Sequence, residues 1–137
     1  MPVTILPSRV SGKLPAPPSK SCMQRACAAA LITNGTTIIE NAGSSNDEQA
    51  AKKIVEKLGA TVDSIRKEVI ITSSSHIFTT TYPGKHSIIS CGESGLSLRM
   101  FAPLSALFTS EITFTGEGSI LKRPVDFFDE LFPKLFV

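Results

Sequence analysis

The chain has 137 residues, enough for one domain with a buried core, and its composition is that of a globular protein. Hydrophobic residues make up 42% and charged residues 19% of the sequence, and the formal net charge is +2. With one tyrosine and no tryptophan, there is no basic stripe with stacking aromatic rings, so we expect no nucleic-acid partner. There is no run of about 18 apolar residues and no basic N-terminal leader, so we expect neither a membrane span nor secretion.

The cysteine and histidine patterns argue against disulfides and metals. Cys22, Cys27 and Cys91 form no Cys-x-x-Cys pair, and His76 and His86 stand alone. These spacings fit neither a disulfide framework nor a zinc site, so we expect reduced thiols, no metal and a cytoplasmic location.

The first elements are two short strands and a helix. Residues 3–5 and 10–14 are predicted as strands, and the proline-rich residues 15–18 cannot lie inside a helix. A helix is predicted over residues 20–33, ending at Asn34-Gly35 as a C-cap pair.

A second helix follows a β-branched strand at residues 36–40. Ser45 to Glu48 has the Ser-x-x-Glu form of a capping box. The apolar stripe after it, which ends at Gly59, comprises Ala50, Ala51, Ile54, Val55 and Leu58. Residues 61–64 and 68–72 are then predicted as a strand pair.

The rest of the chain is predicted as a hairpin followed by a second helix-strand-helix series. The hairpin joins residues 77–81 and 87–90 around a turn at 82–85, where Pro-Gly suits a type II turn. A third helix is predicted from Ser94 to about Phe108, and residues 111–115 as a strand. Arg123-Pro124 is predicted to open a fourth helix.

The order helix, strand, helix therefore occurs twice, which indicates an α/β fold built from a repeated unit. The second copy stops at Val137 without the closing strand pair of the first copy. We expect the chain to be a portion of a larger protein, with a small natural module as the alternative.

The start of the first helix has the composition of an anion site. Ser19 can cap the helix, while Lys20, Ser21 and Arg25 add a hydroxyl and two cations near its positive end. The opposite stripe is expected to be buried and comprises Met23, Ala26, Cys27, Ala30 and Leu31. The alternative is an ordinary capped helix with two solvated cations.

Two further helix starts, at residues 91–95 and 122–124, are also suited to anions. Together the three could hold two anionic groups, because glycine lets backbone N–H groups approach a ligand and helix starts have free donors. Neither a complete Walker A loop nor a complete Gly-x-Gly-x-x-Gly fingerprint is present, so no nucleotide is expected.

Four motifs in order and spacing resemble the N-terminal part of the 3-phosphoshikimate 1-carboxyvinyltransferase (EPSP synthase) family. They are Pro18-Ser19-Lys20-Ser21 with Arg25, Ser45-Asn46-Asp47, Gly92-x-x-Gly95 with Arg99, and Gly116-Glu117 with Lys122-Arg123-Pro124. The resemblance implies repeated βαβαββ units of the enolpyruvyltransferase type, one complete and one partial, within residues 1–137.

The resemblance also implies transfer of the enolpyruvyl group of phosphoenolpyruvate to shikimate 3-phosphate, with release of phosphate, in aromatic amino-acid biosynthesis. No cofactor is implied. Ser21 and Arg25 would hold shikimate 3-phosphate, whereas Lys20, the Gly95 backbone and Arg123 would hold phosphoenolpyruvate. Lys20 would also be catalytic, stabilising charge that develops in a tetrahedral intermediate.

The chain departs from the family pattern at Glu93 and Leu96, where the family usually has an amide and a hydroxyl. A carboxylate at Glu93 would repel an anionic substrate unless it pairs with Arg99 or Lys122. The family's proton-transfer carboxylates lie beyond the region of resemblance, so we expect no activity from these 137 residues alone.

Two other functions are compatible with parts of this sequence. The related UDP-N-acetylglucosamine enolpyruvyltransferases normally have Asn where this chain has Ser21, and a cysteine in the loop that is here residues 118–121. Both differences favour the shikimate enzyme. A non-catalytic anion-binding module is the other alternative.

Overall fold

The computed structural model describes residues 2–79 and 86–135. Nine helices and strands lie in this part of the chain: α1 (Lys20–Ile32), β1 (Gly35–Ile39), α2 (Asn46–Lys57), β2 (Thr61–Ile65), β3 (Glu68–Ser73), β4 (His86–Ser90), α3 (Gly95–Ser105), β5 (Glu111–Thr115) and α4 (Phe127–Leu131). Short 3₁₀ helices span Ser75–Phe78, Gly118–Lys122 and Phe132–Leu135.

Two small sheets carry the helices. The first is antiparallel in the order β1-β3-β2, with Thr37 opposite Ile71 and Val62 opposite the same residue on the other side. The second pairs β4 with β5 in parallel, with Ile88 opposite Thr113. Such a parallel pair needs a crossover connection, which here is α3.

The core lies where α1 and α2 pack on the first sheet. Alternate residues of β3 are buried, as expected for a strand with one face against helices. Ser73 at the end of β3 donates from Oγ to the carbonyl of Leu31 at 2.7 Å, which ties the strand to the last turn of α1. The largest fully buried hydrophobic side chains are Phe101, Leu31, Ile54, Leu58, Ile71, Ile89 and Val55.

The predicted α/β fold and its doubled helix-strand-helix order are confirmed. The series α1-β1-α2 recurs as α3-β5-α4, and α1 packs against α3. The capping box at Ser45, the strand pair formed by β2 and β3, and the burial of the α1 stripe also agree with prediction, with Ala26 only half-buried.

The strands predicted at residues 3–5 and 10–14 are wrong. Residues 2–17 are exposed and have neither helix nor strand structure. An extended segment becomes a β-strand only when a neighbouring strand pairs with its backbone groups, and no described strand does so here. Within the described residues, the first helix or strand in chain order is therefore α1 rather than a strand.

The predicted hairpin is also wrong. Ile77 lies in the 3₁₀ helix Ser75–Phe78, where the Ser74 hydroxyl accepts from the N–H of His76 at 3.3 Å. The strand β4 pairs with β5 instead, in parallel. Residues 80–81 of the predicted first strand and the predicted turn at 82–85 lie outside the described residues.

Two helix boundaries differ from prediction. The third helix ends at Ser105 rather than near Phe108. The backbone N–H groups of Leu107 and Phe108 donate to carbonyls three residues earlier, which is the 3₁₀ pattern and not the α-helical one. The fourth helix begins at Phe127, three residues beyond the predicted Pro124, after the 3₁₀ helix Gly118–Lys122.

Candidate anion-binding site

The start of α1 is built as the sequence predicts. Ser19 has extended backbone angles, and its Oγ accepts from the N–H of Cys22 at 3.3 Å. No acidic residue lies in the first turn of α1, so its own residues leave the positive end of the helix dipole uncompensated. Lys20, the first helical residue, adds a full charge at this end.

Lys20 is held by the first turn of α2. Its Nζ lies 2.9 Å from Oδ2 of Asp47, and about half of the lysine side chain is exposed. The hydrogen bond and negative charge of Asp47 raise the pKa of Lys20, with a smaller contribution from Glu48, while partial desolvation opposes the shift. Lys20 is therefore fully charged at neutral pH and is anchored between two helix starts.

The first turn of α2 is fixed by a buried carboxylate. Oε2 of Glu48 accepts from the backbone N–H of Ser45 at 2.8 Å and from its hydroxyl at 2.6 Å. The Ser45 Oγ accepts in turn from the N–H of Glu48 at 3.4 Å. These reciprocal bonds complete a capping box and set the position of Asp47 on the same turn.

The start of α3 lies close to α1 through a buried hydrogen-bond cluster. Oε1 of Gln24 accepts from the hydroxyl of Ser94 at 2.7 Å and from that of Ser97 at 3.0 Å. Ser94 is the N-cap of α3, and its Oγ accepts from the N–H of Ser97 at 3.2 Å. Gln24 therefore joins the two helices at the ends that the sequence assigns to anion binding.

Gly95 and Arg123 lie in contact. A Cβ atom on Gly95 would stand 2.5 Å from Nη1 of Arg123, so the absence of a side chain lets the guanidinium approach the helix start. The other nitrogen, Nη2, donates to the Ser119 hydroxyl at 3.4 Å. A guanidinium beside the positive end of a helix adds to the field there, and that combination favours an anion.

Ser21 and Arg25 occupy the accessible side of α1. Arg25 is exposed, Ser21 is half-buried, and Nη1 of Arg25 donates to the Ser21 carbonyl at 3.3 Å. Among the residues that the structure describes, no carboxylate forms an ion pair with Arg25 or Arg123. The sequence-predicted residues thus form two groups: Lys20, Ser21 and Arg25 on α1, and Gly95 with Arg123 at the start of α3.

Glu93 forms no ion pair with Arg99 or Lys122 in the described residues. Its carboxylate lies against Gly118, whose φ of +56° is in the left-handed region. Arg99, one expected partner, stands 5.8 Å above the Phe127 ring. Glu93 and Glu117 line a cavity of about 470 Å³ beside the start of α2, which Asp47 and Lys53 also line.

The sequence interpretation missed two residues of this region. Asp47 belongs to the Ser45-Asn46-Asp47 motif, but nothing near it in the sequence indicates that it pairs with Lys20 on another helix. Gln24 had a visible signal: it lies three residues before Cys27 and seven before Leu31, on the buried stripe of α1. A glutamine in that stripe needs a buried partner.

The cysteines differ in environment. Burial raises the pKa of Cys27 to about 12 and that of Cys91 to about 11, whereas Cys22 is exposed in the first turn of α1. Across residues 2–79 and 86–135, no cluster of three or more His, Cys, Asp or Glu side chains is placed to hold a metal ion. None of the helices in the described part of the chain has the length and apolarity needed to cross a membrane.

Known proteins resemble this chain in sequence and in fold. The sequence profile of the family described as EPSP synthase (3-phosphoshikimate 1-carboxyvinyltransferase) matches residues 6–131. The fold is similar to that of an EPSP synthase from Acinetobacter baumannii, with a TM-score of 0.67 and 24% identity over 90% of this chain and 28% of that one.

Two sequence relatives are 3-phosphoshikimate 1-carboxyvinyltransferases. The one from Clostridium kluyveri is 32% identical over 95% of this chain and 29% of its own length. The one from Chlamydia felis is 36% identical over 88% of this chain and 26% of its own length. This chain thus spans less than a third of these relatives, and by its profile match over most of its residues it belongs to the EPSP synthase family.

Proposed function

We propose that this chain forms part of the substrate cleft of an EPSP synthase. The reaction transfers the enolpyruvyl group of phosphoenolpyruvate to the 5-hydroxyl of shikimate 3-phosphate and releases phosphate. The observation that carries the proposal is the convergence of cations on adjacent helix starts: Lys20 on α1, linked to α2 through Asp47, and Arg123 against Gly95 at the start of α3.

Both substrates carry a phosphate, and we assign the α1 residues to them separately: Ser21 and Arg25 to one, and Lys20 with the Gly95–Arg123 pair to the other. Ser21 and Arg25 lie on one accessible side of α1 and would hold shikimate 3-phosphate. Arginine and hydroxyl donors suit a phosphate because charge-assisted hydrogen bonds are about twice as strong as neutral ones. The free guanidinium of Arg25, without a carboxylate partner in the described residues, supports this role.

Phosphoenolpyruvate would be held between the helices by Lys20, the Gly95 N–H and Arg123. The Gly95 N–H is in the first turn of α3, where backbone donors have no partner inside the helix. Lys20 has a second role as the catalytic residue, because a fixed ammonium stabilises charge that develops as the enol ether adds and then eliminates. Asp47 keeps this ammonium protonated and in place.

Glu93 limits how anions approach. Since its carboxylate lies against Gly118 and has no cationic partner in the described residues, it adds negative charge close to the proposed phosphoenolpyruvate subsite. We therefore infer that Glu93 weakens binding of this substrate relative to an amide at the same position.

The proposal covers binding by this chain and assigns turnover to a longer polypeptide. The chain spans 26–29% of the two sequence relatives described above, so residues that manage proton transfer are expected in the remainder. No cofactor is assigned. A cytoplasmic location is proposed on the free thiols and on the family.

Titration of the purified chain with separate ligands tests the proposal. Shikimate 3-phosphate and phosphoenolpyruvate are expected to bind, and UDP-N-acetylglucosamine, the substrate of the rival enolpyruvyltransferases, is not. Sulfate at equal concentration controls for a general anion site. If sulfate binds as tightly as both substrates, the chain is an anion-binding module and the proposed function is wrong.

A further inference from the structure

A buried polar cluster joins α1 to α3, and the proposed reaction does not use it directly. Its members are Gln24, Ser94 and Ser97, with exposed fractions of 1%, 2% and 0%. The Gln24 carboxamide accepts both serine hydroxyls through Oε1, and its Nε2 donates to the Lys20 carbonyl at 3.4 Å.

Such a cluster is not required for packing. Burying polar groups costs free energy unless they are hydrogen-bonded, and apolar side chains of the same volume would fill the space without that cost. A fully connected polar cluster instead selects one arrangement of the elements it joins, because any shift leaves a buried donor or acceptor unpaired.

The two elements that this cluster joins, α1 and α3, are the helices of the proposed site. Gln24 lies one helical turn after Lys20, and Ser94 immediately precedes Gly95. The Ser94 oxygen already accepts from the N–H of Ser97, so its proton is directed to Gln24 rather than to its own helix. One carboxamide thus spans the gap between the Lys20 carbonyl and the N-cap of α3.

We propose that Gln24 is a positioning residue that sets the distance between Lys20 on α1 and the Gly95–Arg123 pair at α3. This inference rests on the proposed function, in which phosphoenolpyruvate is bound by both helices. Shikimate 3-phosphate is bound in that scheme by Ser21 and Arg25, which belong to α1 alone. Gln24 therefore governs phosphoenolpyruvate affinity without governing that of shikimate 3-phosphate.

The test variant is Gln24→Leu, which keeps the approximate volume and helix propensity but removes the acceptor and donor. We expect phosphoenolpyruvate to bind roughly tenfold to a hundredfold more weakly, which is the loss expected when one charge-assisted hydrogen bond to the ligand is broken. Shikimate 3-phosphate affinity should stay within about twofold. A purely structural role would lower the melting temperature and leave the ratio of the two affinities unchanged.

Matched variants separate the mechanism from general damage. Gln49→Leu makes the same exchange on α2, where the described contacts show no hydrogen bond from Gln49 to another helix, and should leave the affinity ratio unchanged. Ser97→Ala removes one of the two donors and should give a smaller loss. The double variant Gln24→Leu/Ser97→Ala should be no worse than Gln24→Leu alone, because Gln24→Leu already removes the one bond that the Ser97 hydroxyl donates.

A ligand-free measurement makes the two proposals separable. Residual dipolar couplings of backbone amides report the relative orientation of α1 and α3, and we expect Gln24→Leu to change it. An unchanged orientation, or an equal loss of both ligands, overturns the positioning role. A wild-type chain that binds neither ligand overturns the proposed function, and the couplings then still decide whether Gln24 positions α3. If Gln24→Leu does not fold, the milder Ser97→Ala provides the same affinity ratio and couplings.

Discussion

Replacing Arg25 by alanine separates a binding role from a structural one. The guanidinium is exposed and its described hydrogen bond, to the Ser21 carbonyl one turn earlier, is long at 3.3 Å. Truncation therefore opens no core cavity, and an exposed substitution of this kind changes the free energy of unfolding by about 0.5 kcal/mol or less. The melting temperature of Arg25→Ala should stay close to that of the wild type.

The loss in binding should be larger. A charge-assisted hydrogen bond to phosphate contributes about 1.5–3 kcal/mol. Removing it should weaken shikimate 3-phosphate binding roughly tenfold to a hundredfold. The assay is a calorimetric or NMR titration of shikimate 3-phosphate beside a thermal melt of the same sample.

The matched control is Lys57→Ala, which removes the same charge from an exposed position at the far end of α2. Its affinity for shikimate 3-phosphate should equal that of the wild type within about twofold, since exposed charges more than about 10 Å apart are largely screened at 0.1 M salt. Unchanged affinity in Arg25→Ala together with a steep fall in melting temperature would show that Arg25 is structural and that its assignment to the site is wrong.

Three further predictions concern pH, backbone strain and turnover. Because burial raises the pKa of Cys27 to about 12 from an ordinary 9.0, its contribution to stability is complete below pH 9 and is lost as pH rises toward 12. Between pH 9 and 12, Cys27→Ala should reduce the slope of the free energy of unfolding against pH by up to about 1.4 kcal/mol per pH unit, measured by urea titrations. An unchanged slope would contradict a raised pKa of the Cys27 thiol. Arg66 has a φ of +57°, so Arg66→Gly should raise the free energy of unfolding by about 0.5–1 kcal/mol, which is the roughly 1–2 kcal/mol of left-handed strain less the extra chain entropy that glycine loses on folding. Asn41→Gly, at a φ of 51°, is the control and should gain less because asparagine tolerates this region, and a lower urea midpoint for Arg66→Gly would refute the strain argument. The purified 137-residue chain should release no phosphate from the two substrates in steady state, and turnover free of host enzyme would disprove this.

Local signals in the sequence predicted local structure well. The capping box at Ser45, the serine cap of α1 and the apolar period of α2 involve residues within one or two turns of each other. The interactions behind these signals lie within a short segment, so spacing along the sequence is enough to indicate them. The same holds for the β2–β3 pair, whose two-residue turn at Arg66-Lys67 brings adjacent segments together.

The errors in the predicted strands arise because strand pairing depends on distant parts of the chain. Residues 3–5 and 10–14 have the apolar pattern of strands, yet a strand forms only where a partner satisfies its backbone groups. The hairpin error has the same origin: β4 takes β5, more than twenty residues away, as its parallel partner. A turn signal at 82–85 suggested a neighbour for β4 that is not its partner.

The sequence predicted the cationic residues of the candidate site but not the side-chain contacts that connect its helices. Lys20, Arg25 and Arg123 are visible as cations at predicted helix starts. The Asp47 contact to Lys20 and the Gln24 bond to Ser94 depend on how helices pack, which no spacing along the chain specifies. Only the glutamine on a buried stripe gave a hint that a cross-helix bond was required.

The central claim is that α1 and α3 jointly bind the two phosphorylated substrates, and the most direct test is to map both by amide NMR on the wild-type chain. Shikimate 3-phosphate should shift the amide signals of Ser21 and Arg25. Phosphoenolpyruvate should shift those of Lys20, Gly95 and Arg123. Saturable shifts confined to these groups support the account, whereas saturable shifts elsewhere, or none at millimolar ligand, contradict it.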